Sequence, residues 1–88
     1  MNKIEKKYIV VYYPYHAYQR EMELHPYITP NQAYNAVRTR VESHSLTVAS
    51  DLARKLAGLS VFKKAEVVLK EKLNGEFIET RKEIYYDK

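Results

Sequence analysis

The chain has no cysteine and no tryptophan, and its 88 residues include only two glycines and three prolines. Without thiols there are no disulfides and no thiolate-bound metal, so the fold must be held by packing alone or by burial against a second copy. Gly58 and Gly75 are too few for a phosphate-cradling loop or a dinucleotide fingerprint, and no serine stands in a Gly-x-Ser-x-Gly elbow. Long apolar runs are missing too. The longest, Tyr8 to Tyr15, falls far short of the roughly 20 residues of a membrane-spanning helix. The basic start MNKIEKK leads into tyrosines and Pro14 with no small-residue cleavage site, which does not resemble a secretory signal, so a cytoplasmic location is expected.

What is present reads as a folded, single-domain chain over residues 1–88, with 45% apolar and 30% charged residues. The net charge of +4 is unevenly distributed. Residues 26–64 carry six basic side chains against two acidic ones, while residues 1–25 carry four against three and residues 65–88 five against six. A polyanion, if one is bound, belongs to the middle segment.

Residues 6–13 combine β-branched and aromatic side chains and end at Pro14, as a strand does. Residues 15–25 divide between a helical face of Tyr15, Tyr18 and Met22 and an extended alternation of Met22 and Leu24, and read as irregular or extended. Thr29, Pro30 and Gln32 supply cap, first helical residue and capping box for a helix whose stripe is Ala33, Tyr34, Val37 and Val41. A second helix starts at Thr47, runs along Val48, Leu52, Leu56 and Leu59, and takes Gly58 as a left-handed cap. Asn74-Gly75 then marks a type I′ hairpin turn that pairs Leu73 with Glu76. A regular register places Ala65, Val67, Leu69, Ile78, Ile84 and Tyr86 on a core face, and Val68, Lys70, Lys72, Phe77, Glu79, Arg81 and Tyr85 on an open one. The expected class is α+β, in the order β-α-α-β-β, with a three-stranded antiparallel sheet and two helices packed on one face.

Five of the nine tyrosines lie between Tyr8 and Tyr18. With Ile9 and Val11 inward, Tyr8, Val10 and Tyr12 join Val68, Phe77 and Tyr85 on the open side. Such a face can be covered by residues 15–24, can join two copies, or can stack bases. Catalytic and metal signals are weak: His16, Glu21, Glu23 and His25 have no HExxH spacing, and His44 reads as a helix-end residue. An enzyme is not expected, nor is a cofactor.

Two helices across a short turn, followed by a hairpin, form an order similar to that of winged helix-turn-helix modules over residues 30–86. That resemblance implies nucleic-acid binding by a small accessory or regulatory protein through a basic helical face. Its phosphate contacts would be Arg38, Arg40, Arg54, Lys55, Lys63 and Lys64. The alternative is a protein-interaction module, such as an inhibitor or adaptor, or a homodimer, joined through Tyr8, Tyr12, Val68, Phe77 and Tyr85.

Overall fold

The computed structural model describes residues 5–87. Strand β1 (Lys6–Tyr12) is buried on both faces at its centre, where Val10 and Val11 are 0% and 1% exposed. Pro14 closes β1 and precedes helix α1 (Tyr15–Leu24). The irregular or extended conformation expected for residues 15–25 is thereby corrected. Gln19 to Leu24 are all good helix formers, and that preference outweighs a two-residue alternation. The Gln19 amide also donates to the Tyr15 hydroxyl one turn back, at 3.0 Å.

Helix α2 (Pro30–Ala36) begins with the expected capping box: Gln32 N donates to Thr29 Oγ1 at 3.2 Å, and Thr29 N donates to Gln32 Oε1 at 3.0 Å. It ends at Val37, however, and strand β2 (Thr39–Ser43) follows. The single helical stripe through Val41 is therefore wrong. Thr39 and Val41 are β-branched and alternate with Arg40 and Glu42, a period of two rather than 3.6. Val41 packs beside Val10, whereas Tyr34 and Val37 pack beside Ile9 and Val11 on the other side of the sheet.

Helix α3 (Leu46–Ala57) is capped by Ser45, not Thr47; the Ser45 hydroxyl accepts from Val48 N at 3.4 Å. Its buried face is Ala49, Ser50, Ala53 and Ala57, while Val48 and Leu59 face water. Small side chains let the helix approach the sheet closely, and Leu52 and Leu56 pack along its flanks. Gly58 is right-handed (φ −64°, ψ −23°), so the left-handed cap expected there does not form. A 3-10 turn (Val61–Lys63) leads into β3 (Lys64–Leu73), and β4 (Glu76–Tyr86) returns from Asn74-Gly75, where φ is +52° and +84° as a type I′ turn requires.

The strands form one antiparallel sheet in the order β2-β1-β3-β4. The α+β class holds, with four strands and three helices in place of three and two. The two-helices-on-one-face arrangement is also corrected. Helix α3 covers Tyr8, Val10, Tyr12, Ala65 and Val67, while α1 and α2 meet Ile9, Val11, Tyr13, Val61 and Val68 on the opposite face. Because β2 separates α2 from α3, the expected helix-turn-helix is not formed.

The Cα trace measures 55 × 30 × 14 Å. On the side of α1 and α2, Tyr18, Tyr34 and Val37 pack near Tyr13, and the groove over Ile9, Val11 and Val68 toward the hairpin is lined by no residue of either helix.

The hairpin register follows the turn only part of the way. Leu73 pairs with Glu76 and Lys70 with Glu79, but Leu69 pairs with Arg81, leaving Thr80 as an extra residue on β4. Beyond that bulge every β4 side chain changes face. Arg81 and Tyr85, expected on the open side, turn toward α3, and Ile84 and Tyr86, expected in the core, turn away from it. Ile78 stays exposed beyond the reach of α3. Among the described residues no helix is long and apolar enough to cross a membrane.

Candidate functional site

On the α1/α2 side of the sheet, Ile9, Val11 and Val68 make an apolar floor. Register places Lys7, Arg40, Lys64, Lys70, Lys72 and Lys82 on that same face, against the carboxylates of Glu42, Glu66 and Glu79. Arg38, just past α2, joins Arg40, Lys70 and Glu79 around a shallow groove of about 180 Å³ over the floor. The long aliphatic stems cover apolar surface while their charged heads stay in water, so Ile9 and Val68 are only 6% and 5% exposed where no helix lies above the groove. The groove is smaller than the roughly 300 Å³ at which small-molecule pockets begin, and suits an extended ligand that crosses it.

Cations outnumber carboxylates on this face, although Glu79 stands across from Lys70 and lines the groove with it. Among the described residues, Arg38, Arg40, Lys64, Lys70 and Lys82 form no ion pair with a carboxylate, whereas Lys7 reaches Glu42 at 3.4 Å and Lys72 reaches Glu5 at 3.6 Å. Like charges gathered this closely repel one another, and a positive field over an open face is the result.

Aromatic rings stand at both ends of the face. At the hairpin end, Lys7 Nζ lies 4.2 Å and Lys72 Nζ 5.9 Å from the Phe77 ring centre, so that ring holds two ammonium groups in place. At the other end Tyr34 stacks on buried Tyr13 with centroids 3.6 Å apart, Phe62 leans on Tyr34 at 5.8 Å, and Lys64 Nζ lies 5.9 Å from Phe62. Burial, and then the neighbouring Tyr13, push the Tyr34 phenol above the ordinary tyrosine range, so it stays neutral.

Phe62 (φ +62°) and Lys63 (φ +53°) are both left-handed, a conformation costing roughly 1–3 kcal/mol for each such side chain. Hydrogen bonds on either side hold the strain. Val61 N donates to Tyr13 O at 2.8 Å, Lys63 Nζ to Gly58 O at 2.9 Å, and Asp87 N to Lys63 O at 2.9 Å. With Val61 anchored in the core and β3 starting at Lys64, the chain between them turns outward and leaves Phe62 73% exposed.

The six basic residues singled out from the sequence do not share one surface. Arg38, Arg40 and Lys64 belong to the cationic sheet face. Arg54 and Lys55 lie on α3 across the sheet, where Arg54 approaches Asp51 at 3.5 Å and the Tyr85 ring at 5.3 Å. Lys63 is occupied by the Gly58 carbonyl. The aromatic set is likewise divided. Tyr8, Tyr12 and Tyr85 are half-buried against the α3 core, Val68 is buried on the other side, and Phe77 stands at the hairpin. Tyr85 is fixed by a chain of hydrogen bonds, its hydroxyl meeting Ser50 Oγ at 3.0 Å and donating to Glu83 at 2.8 Å.

Lys70, Lys72 and Lys82 were missed because the hairpin is nearly neutral when its charges are summed along the chain. The usable signal was the two-residue spacing of Lys64, Lys70 and Lys72, which puts them on one face of β3. Of the His16, Glu21, Glu23 and His25 group, His25 approaches Glu21 at 3.4 Å, and among the described residues no three histidine or acidic side chains converge as metal ligands. No family model matches the chain, and neither a curated protein nor a solved structure is similar to it, so the functional reading rests on the geometry of this face.

Proposed function

We propose that the protein binds nucleic acid through the half-open sheet face, in a non-catalytic accessory or regulatory role. The observation that carries this reading is that Arg38, Arg40 and Lys70 line a groove over an apolar floor, with Lys64 and Lys82 on the same face, none of the five in an ion pair with a carboxylate among the described residues. Phosphates would take the place of the missing counter-charges, and the aliphatic stems would contact sugars. The basic α3 surface is a weaker candidate, because Arg54 is engaged by Asp51 and Tyr85.

A protein partner, or a second copy of the chain, is expected from the sequence at Tyr8, Tyr12, Val68, Phe77 and Tyr85; with all but Phe77 packed in the two cores, it would fall to a sheet edge, β2 or, longer, β4. Strand β4 carries Arg81, Lys82, Glu83 and the bulge at Thr80, which are devices that discourage edge pairing. The edge therefore favours this alternative less than the charge favours a polyanion.

Binding of a labelled oligonucleotide at two salt concentrations tests the proposal. Five phosphate contacts to a single strand release counterions with a log–log slope of about −3.5, so affinity drops by about a hundredfold between roughly 50 and 200 mM salt. Absence of binding at low salt would sink the proposal.

A further inference from the structure

We infer that the ligand of this face is a single-stranded polynucleotide, and that Phe62 is the platform on which one of its bases stacks. The inference rests on the nucleic-acid reading and adds the strand state and the residue that selects it.

Phe62 occupies a position that glycine or asparagine would fill with less strain, and its ring is not placed there to be buried, since most of it faces solvent. What the placement achieves is presentation. The ring is braced from behind by Tyr34, which is in turn stacked on buried Tyr13, so an aromatic column runs from the core to the surface and ends in an open ring. Lys64 Nζ lies over one face of that ring, 5.9 Å from its centre, and its register partner Tyr86 is a second exposed aromatic on the same side of the sheet.

Along this face of β3, Glu66 and Val68 separate Lys64 from Lys70 and Lys72, with Lys82 across from Val68; Lys72 is about 27 Å from Lys64 at the usual rise per residue, and Arg38 and Arg40 stand on the near wall of the groove. A rigid aromatic on a face with a net excess of cations is the arrangement that holds single strands, in which bases are free to stack while phosphates follow the charge. A track of this length accommodates a few nucleotides, at the short end of single-strand sites. A duplex keeps its bases stacked inside and has no free base to offer Phe62.

Fluorescence anisotropy with oligo-dT, oligo-U and a mixed-sequence duplex of about a dozen nucleotides each tests this on the wild-type chain, Phe62→Gly and Phe62→Tyr. The expected result is preference for one or both single strands over duplex. Phe62→Gly should then lose about five- to a hundredfold in single-strand affinity with little change in duplex binding, and Phe62→Tyr should restore it. A thermal melt of Phe62→Gly checks the fold, which should survive because glycine relieves the strained backbone there. Equal affinity for single strand and duplex, or undiminished binding by a folded Phe62→Gly, would overturn the stacking inference while leaving nucleic-acid binding in place. Absence of binding to all three probes would remove both. The dT and U arms separate a DNA ligand from an RNA ligand.

Discussion

The two faces of this sheet bury neighbouring residues of the same strand in opposite ways. Under α3, Val10 meets Ala49, Ala53, Ala57, Ala65 and Val67, small side chains that exclude water by close approach. On the reverse, Val11, Ile9 and Val68 are shielded at one end by the large rings of Tyr13, Tyr18 and Tyr34 and elsewhere by the stems of arginine and lysine. The first face is closed where α3 lies on it, and its charges stand at the margins of that contact. The second leaves its charges over the floor, where they cost repulsion and gain little unless something anionic arrives. A small chain can thus divide its one sheet between stability and recognition.

The comparison can be broken or sharpened by substitution. The largest effect is expected from Ala53→Leu, which forces extra carbons into the fully buried α3 contact and should cost about 3 kcal/mol, read as a lower denaturant midpoint. Lys70→Leu on the opposite floor should change stability by less than about 0.5 kcal/mol, because its stem already lies along apolar surface. Equal costs at the two positions would erase the distinction drawn between the faces.

A smaller effect concerns Tyr34. Its pKa is raised in the folded chain relative to the ordinary 10, so the stabilisation from keeping the phenol neutral is complete below pH about 10 and is lost as pH rises through the higher folded value. Thermal stability of the wild type should therefore decline more steeply above pH 10 than that of Tyr34→Phe, and identical slopes would show that burial beside Tyr13 does not perturb the hydroxyl.

Local signals were legible in the sequence wherever one residue's chemistry decides its backbone. Asn74-Gly75 dictated the turn and its first pairings, and Thr29, Pro30 and Gln32 dictated where α2 starts. Misreadings arose where two periodicities overlap or where a distant contact decides. Val41 fits a helical stripe with Val37 and Tyr34 as well as it fits a strand with Thr39, and only pairing with β1 resolves the choice. The alanine face of α3 was overlooked in favour of its leucines, because hydrophobicity ranks the larger side chain first while close packing against a sheet selects the smaller. Nothing local announces the bulge at Thr80, which decided the faces of Arg81, Tyr85 and Ile84. The candidate site was half visible for the same reasons. Arg38, Arg40 and Lys64 were found through the charge of the middle segment, while Lys70 and Lys82 required the strand register.

The central claim is that anions are held by the open sheet face and not by α3. Two double charge reversals measured side by side against a single-stranded oligonucleotide at low salt test it most directly. The account predicts that Arg40→Glu with Lys70→Glu reduces affinity at least about tenfold, and that Arg54→Glu with Lys55→Glu leaves it within about threefold of wild type. Loss of binding in the α3 pair, with the sheet pair unchanged and folded, would contradict it.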